Sequence, residues 1–202
     1  METRKSHRAQ GRPRAFDINE ALEQALQMFW RKGYLGTSLT DLTEAMGINR
    51  PSLYATFGNK ETLFRKVLDR YSDRQTAYLR EALEEPTARR VIERMMHGVV
   101  DLVTNPCNPP KCLFAESMLS CGDPNDPLHQ ELAQRRVSGE VAIRARFERA
   151  SLEGDLPSDI DPSALARFVV TVNLGMSVQA ASGASRTELL QVVQTALQAC
   201  PR

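Results

Sequence analysis

Apolar residues recur at helical spacing in one segment after another, and short caps and stops divide the segments. Ala21, Leu22, Ala25, Leu26 and Phe29 form the first stripe. Asp17, with Glu20 three residues later, has the spacing of a helix start, and Gly33 ends the run. Trp30 lies so close to this stripe that it reads as a packing anchor rather than a ligand-stacking aromatic. A second short helix starts at Ser38, a good N-cap with Asp41 three residues on, and buries Leu39, Leu42 and Met46. Gly47 stops it and Ile48 follows as an apolar plug. Asn49 caps a third helix, Pro51 is tolerated in its first turn, and Leu53 and Phe57 face inward. Arg50, Ser52, Tyr54, Ala55 and Thr56 are left for the other faces.

Longer stripes follow. The spacing predicts one long helix from Asn59 through Leu63, Phe64, Val67, Leu68 and Tyr71 towards Leu83. A second runs from Pro86-Thr87 through Val91, Ile92, Met95, Met96, Val99, Val100 and Val103. Three prolines make Asn105–Lys111 a loop, after which Cys112–Met118 restarts a helix ending near Gly122. Asp126 to Ser151 reads as a long helix, with Leu128, Leu132, Val137, Val141, Ile143 and Phe147 as its stripe. Asp161 and Pro162 open a helix that is apolar nearly all round, which predicts burial on more than one side. Arg186–Ala199 is the last helix, carrying Leu189, Leu190, Val192, Val193, Ala196 and Leu197. The pattern predicts an all-α chain in three parts. They are an arm at 1–15, a three-helix helix–turn–helix domain at 16–64 and a larger helical domain at 65–202.

Composition changes this picture little; charge distribution changes it more. The chain has 202 residues, 42% hydrophobic and 25% charged, ordinary values for a globular protein. Its net charge of +1 hides an asymmetry. Residues 1–70 hold 12 Lys/Arg against 8 Asp/Glu, and the remainder holds 14 against 17. Before Phe16, Arg4, Lys5, Arg8, Arg12 and Arg14 face only Glu2. Positive charge beside a two-helix unit with a small polar outer surface is the footprint expected of a DNA-binding head. Without further support, an αα-hairpin with no DNA role fits the same helices.

The string TSLTDLTEAMGINRPSLYATFGNKETLF resembles the DNA-binding segment of the tetracycline-repressor-like (TetR) regulators. The shared pattern is a capped helix at Ser38, then Gly47-Ile48, Leu53-Tyr54, Phe57, Lys60-Glu61 and Leu63, within a match from about Phe16 to Phe64. The resemblance implies that Tyr54 and Lys60 hold phosphates while Arg50, Ser52 and Thr56 reach base edges or nearby backbone. Ser38, Thr40, Asn49 and Pro51 complete the expected DNA-facing set. Arg50 is the one side chain of the third helix able to make a bidentate guanine contact. Arg12 and Arg14, within Gly11-Arg12-Pro13-Arg14, resemble the short arm that some regulators lay in a minor groove.

The resemblance also implies partners: double-stranded operator DNA, a second copy of the chain and a small-molecule effector. The family dimerises through its final helices, which here points to Phe168, Val172, Gly175, Met176, Gln179, Leu189 and Val193. Met95, Met96, Phe114, Met118 and Phe147 are the expected lining of an apolar effector pocket, although a methionine stripe also suits ordinary core. No cofactor or metal is expected, and no membrane: the apolar run Phe168–Val178 is interrupted by Thr171 and Asn173 and is too short to span. The N-terminus lacks an apolar region behind its charges, so the expected compartment is the cytoplasm and the four cysteines are expected to be thiols.

Besides an architectural DNA-binding protein without an effector, two alternatives stay open. Cys107, Cys112 and Cys121 sit in or beside the Pro-rich loop, where thiol oxidation or metal binding could signal to the head, though their spacing matches no known zinc site. The other is a helical ligand carrier or enzyme with an incidental basic tail. Against an enzyme, the chain has no Gly-rich phosphate loop, no Gly-x-Ser-x-Gly and no His-Glu-x-x-His, and His7, His97 and His129 are scattered without triad partners.

Overall fold

The computed structural model describes residues 16–120 and 126–200, with the backbone alone at 118–120. Every regular element among these residues is a helix. The first four are α1 (Ile18–Lys32), α2 (Leu39–Met46), α3 (Arg50–Phe57) and α4 (Lys60–Arg74). The predicted caps account for their starts. The Asp17 carboxylate accepts the Asn19 N–H at 2.7 Å. Ser38 and Asp41 form a reciprocal capping box, and Asn49 and Asn59 accept from Ser52 and Thr62. Gly47 ends α2 in the left-handed region at φ 63°, where a side chain would be strained.

The remaining helices are α5 (Ala77–Leu83), α6 (Ala88–Thr104), α7 (Leu113–Ser120), α8 (Pro127–Leu152), α9 (Pro162–Ala181) and α10 (Arg186–Ala199). The α6 helix is central: it packs against α5, α9 and α10, and α9 also packs along α8. One continuous buried cluster runs from α1 to α10. Its front part is aromatic. Phe29 meets Phe64 edge-on at 4.9 Å, Trp30 meets Tyr71 at 4.9 Å, and Tyr71 meets Phe114 at 5.5 Å.

Three expectations are corrected. The helix expected from Asn59 to Leu83 is broken after Arg74 into α4 and α5. The Thr76 N–H reaches back to the Tyr71 carbonyl and its hydroxyl takes the Ser72 carbonyl, which closes α4 without a glycine or proline. The new direction lays the Tyr78 ring on Gly98 of α6, where a Cβ would lie 2.1 Å from that ring. Second, Val137 and Val141 are not core: each is 43% exposed. Third, α9 is buried within the subunit along one side, not on more than one. Leu165, Ala166, Val169, Met176 and Ala180 face inward, while Phe168 and Val178 are exposed. By length and composition α9 would also pass for a membrane span, with a mean hydropathy of 1.3 over 18 residues, because the helix extends well beyond the apolar run read from the sequence. Its inner face packs on α6, α8 and α10 of the same chain.

Candidate nucleic-acid interface

The α2–α3 pair sits at the surface with its apolar residues turned in and its polar residues turned out. Leu42, Met46, Leu53 and Phe57 are buried against α1 and α4. Ser38, Thr40, Asn49, Arg50, Pro51 and Tyr54 are exposed, and Ser52, Thr56 and Lys60 are half-buried. The Arg50 guanidinium donates to the Thr40 hydroxyl at 2.9 Å, bringing two expected DNA-facing residues from different helices together. Tyr54, one turn along α3 from Arg50, is 50% exposed, unusual for an aromatic with no packing duty. Arg12 and Arg14 lie outside the described residues.

Two supports were not read from the sequence. The Lys60 ammonium lies 4.4 Å from the centre of the Tyr34 ring, a cation–π contact that fixes the lysine at the start of α4. Burial pushes the Lys60 pKa below its ordinary value, opposed by the nearby charge of Asp41. Lys32 of α1 pairs with Asp41 at 2.6 Å. That bond, with the Ser38 N–H and hydroxyl, holds the Asp41 carboxyl well below the usual carboxylate range. Tyr34 and Lys32 flank Gly33 at the end of α1. The result is a head with Arg50, Tyr54 and the capped start of α3 at its surface and Lys60 half-buried beside them.

Beyond the head, the effector-side expectations divide. Met95, Met96 and Phe147 are fully buried and Phe114 is half-buried; none of these lines the 520 Å³ cavity beside the Pro-rich loop or the 400 Å³ cavity between α5 and α6. The side chain of Met118 lies outside the described residues. Of the expected dimer residues, Phe168, Gly175 and Gln179 are exposed and Val172 is half-buried, along one stripe of α9. Met176, Leu189 and Val193 do not belong there: each is 1% exposed, because the inner faces of α9 and α10 are consumed by packing within the subunit. Among the described residues no group of three or more His, Cys, Asp or Glu side chains is placed to hold a metal ion, and Cys121 lies outside them.

Comparison with known proteins agrees with this geometry. The family model for bacterial regulatory proteins of the tetR family matches residues 21–67, and that for the tetracyclin repressor-like C-terminal domain matches residues 86–197. The HTH-type transcriptional repressor ComR of Escherichia coli (strain K12) is 34% identical over 196 residues, covering 96% of this chain and 93% of ComR. The HTH-type transcriptional repressor BdcR of the same strain is 30% identical over 198 residues, covering 94% and 91%. Among solved structures, a cysteine mutant of the TetR family transcriptional regulator CifR, complexed with 26bp double-strand operator DNA, is similar at TM-score 0.89 and 40% identity, covering 95% of this chain and 100% of that one. The chain belongs to the TetR family and is a DNA-binding transcriptional regulator, of a family of regulators rather than enzymes.

Proposed function

We propose that the protein is a ligand-responsive repressor that acts in the cytoplasm as a homodimer on a palindromic operator. The head is residues 16–64 and the effector and dimerisation body residues 65–202. The observation that carries the reading is the presence on one chain of two outward surfaces: the polar face of α2–α3 and an apolar stripe on α9. Phe168, Val172, Gly175 and Gln179 recur at helical spacing on α9, and Val178 and, on α10, Val192 are exposed beside them. A self-complementary stripe of this kind suits a two-fold dimer, which would present two α3 helices to successive major grooves. The repressor names of ComR and BdcR support the sign of regulation.

The effector is a small molecule taken up in the body beside Met95, Met96, Phe114, Met118 and Phe147. Since the residues described there are packed, helices must part to admit it. It releases DNA only if it binds the non-DNA conformation more tightly. Sedimentation of the protein with a palindromic duplex tests the reading: two copies per duplex are expected, and Phe168→Asp should abolish both dimer and tight binding. One copy per duplex, or a Phe168→Asp dimer, refutes it.

A second reading has its own observation. Cys107 is exposed on the wall of a 520 Å³ cavity shared by Arg31 of α1, the Pro-rich loop and Glu116 of α7. Cys112 follows that loop and accepts a hydrogen bond from the Tyr71 hydroxyl at 3.6 Å. Peroxide would convert the Cys107 thiol to a sulfenic acid with loss of water, next to a loop pinned to the head. Mass spectrometry after mild peroxide tests this: oxidised Cys107 with weakened operator binding supports it, and an unmodified thiol or unchanged binding removes it.

A further inference from the structure

Arg146 of α8 is 5% exposed, yet among the described residues no carboxylate pairs with it. Its Nε donates to the Leu83 carbonyl at 3.1 Å and its Nη2 to the Glu85 carbonyl at 2.7 Å, so the guanidinium sits at the C-terminal end of α5. Its Nη1 is buried without a hydrogen-bond partner. The acids nearby are otherwise engaged. Glu85 pairs with Arg90 and Arg94, Glu148 with Arg144, and Glu153 with Arg149. The end of a short helix offers only partial negative charge, so a full positive charge is left buried and only partly compensated. Buried charges in folded proteins are normally paired, and an exception calls for an explanation in ligand or function.

The surroundings limit what could complete the pair. On the same face of α8 lie Ile143, Phe147 and Ala150, all buried and apolar, with Ala82 of α5 buried opposite. Two turns towards the start of α8, Gly139 is exposed and a Cβ there would meet nothing within 4 Å, so the same face reaches the surface there. Glu85, whose carbonyl Arg146 holds, also lines a 400 Å³ cavity between α5 and α6, although Arg146 itself is not part of that wall. One excess charge calls for one negative charge; a dianion would leave a buried excess of the other sign. Nη1 supplies N–H donors in the plane that suits a carboxylate.

We infer that Arg146 anchors the carboxylate of an organic monoacid with an apolar body, bound between α5 and α8. This rests on the ligand-responsive reading and names the class of its effector. Because Leu83 and Glu85 bound the α5–α6 corner, an acid drawing on the guanidinium competes with the bonds that hold that corner to α8.

The test uses the full chain, a straight-chain alkanoate series and benzoate, each beside its neutral amide. Binding is followed by the shift in melting temperature and by release of a fluorescent operator duplex. The acids should bind about tenfold or more tighter than the amides, as a charge-assisted pair predicts. Arg146→Gln should bring acid and amide within about twofold of each other in melting-temperature shift. Should that variant not fold, Arg146→Lys keeps the charge without the planar fork and should still reduce the preference. Amides that bind and release DNA as well as acids overturn the role of Arg146 but leave a ligand-responsive regulator. A preference unchanged in both variants also overturns it, as does a wild type to which no acid binds. Failure of the dimeric-operator reading shows separately, in the duplex stoichiometry.

Discussion

The indole N–H of Trp30 donates to the Lys111 carbonyl at 2.6 Å, joining α1 of the head to the loop that precedes α7. Two residues further, the Leu113 N–H donates to the hydroxyl of Tyr71 on α4, so the segment 111–113 is held by both helices that support the reading pair. The single tryptophan of the chain is thus a packing anchor and also a polar clasp between head and body. Trp30→Phe keeps most of the apolar volume but leaves the carbonyl without this donor. It should lower unfolding free energy by about 1–3 kcal/mol in urea titrations. A variant as stable as the parent would mean that the bond contributes nothing net.

A second clasp is ionic. Arg65 of α4 donates to Glu131 of α8 at 2.6 Å, and Arg135 joins Glu131 at 3.0 Å and Asp69 of α4 at 2.8 Å. Burial acts to raise the Glu131 pKa, but hydrogen bonds from Arg65 and Arg135 outweigh it and the net shift is downward. A carboxyl whose folded pKa is lowered adds stability above its unfolded value, about 4.3, and loses it as pH falls through the folded value. Glu131→Gln should therefore cost about 1 kcal/mol near neutrality, less in high salt, and nothing at a pH where Glu131 is already protonated. Equal losses at neutral and strongly acidic pH would show that the effect is packing, not charge.

At the alkaline end the sign reverses. Burial, reinforced by Cys112, raises the Tyr71 and Tyr78 pKa values well above the ordinary phenol. Groups with raised pKa values contribute fully below the unfolded value, about 10, and that contribution drains away as pH climbs beyond it. Phenolate absorbance from these two residues should thus appear together with loss of the helical circular dichroism signal. All four tyrosines ionising in a folded protein would contradict this placement.

On the proposed reading, the head separates two kinds of contact. Lys60→Ala should weaken binding to all duplexes alike and reduce the salt slope by about one. Arg50→Ala should relax preference at one base position, costing about 1–3 kcal/mol there. A changed base preference for the lysine variant, or an unchanged one for the arginine variant, would exchange or cancel these roles.

Local chemistry made the head legible in advance. Ser38, Asn49 and Asn59 each bond the backbone within three residues, so their spacing in the chain is their spacing in space. What joins residues distant in sequence left no such trace. The Trp30 clasp spans 81 positions, and the Lys60–Tyr34 contact depends on how α1 crosses α4. The break between α4 and α5 was hidden because Gln75-Thr76 is no helix stop by composition; the bonds of Thr76 back to the Tyr71 and Ser72 carbonyls close α4 there. For α9 and α10, apolarity alone did not tell which side meets α6 and which stays outside, so Met176, Leu189 and Val193 were placed on the wrong face.

Selection of bound duplexes from a random DNA pool tests the central claim most directly. Two α3 helices related by a two-fold axis should recover an inverted repeat with half-site centres ~34–36 Å apart, or a multiple of that spacing. Recovery of unrelated sequences, or of one half-site with no inverted partner, would contradict it.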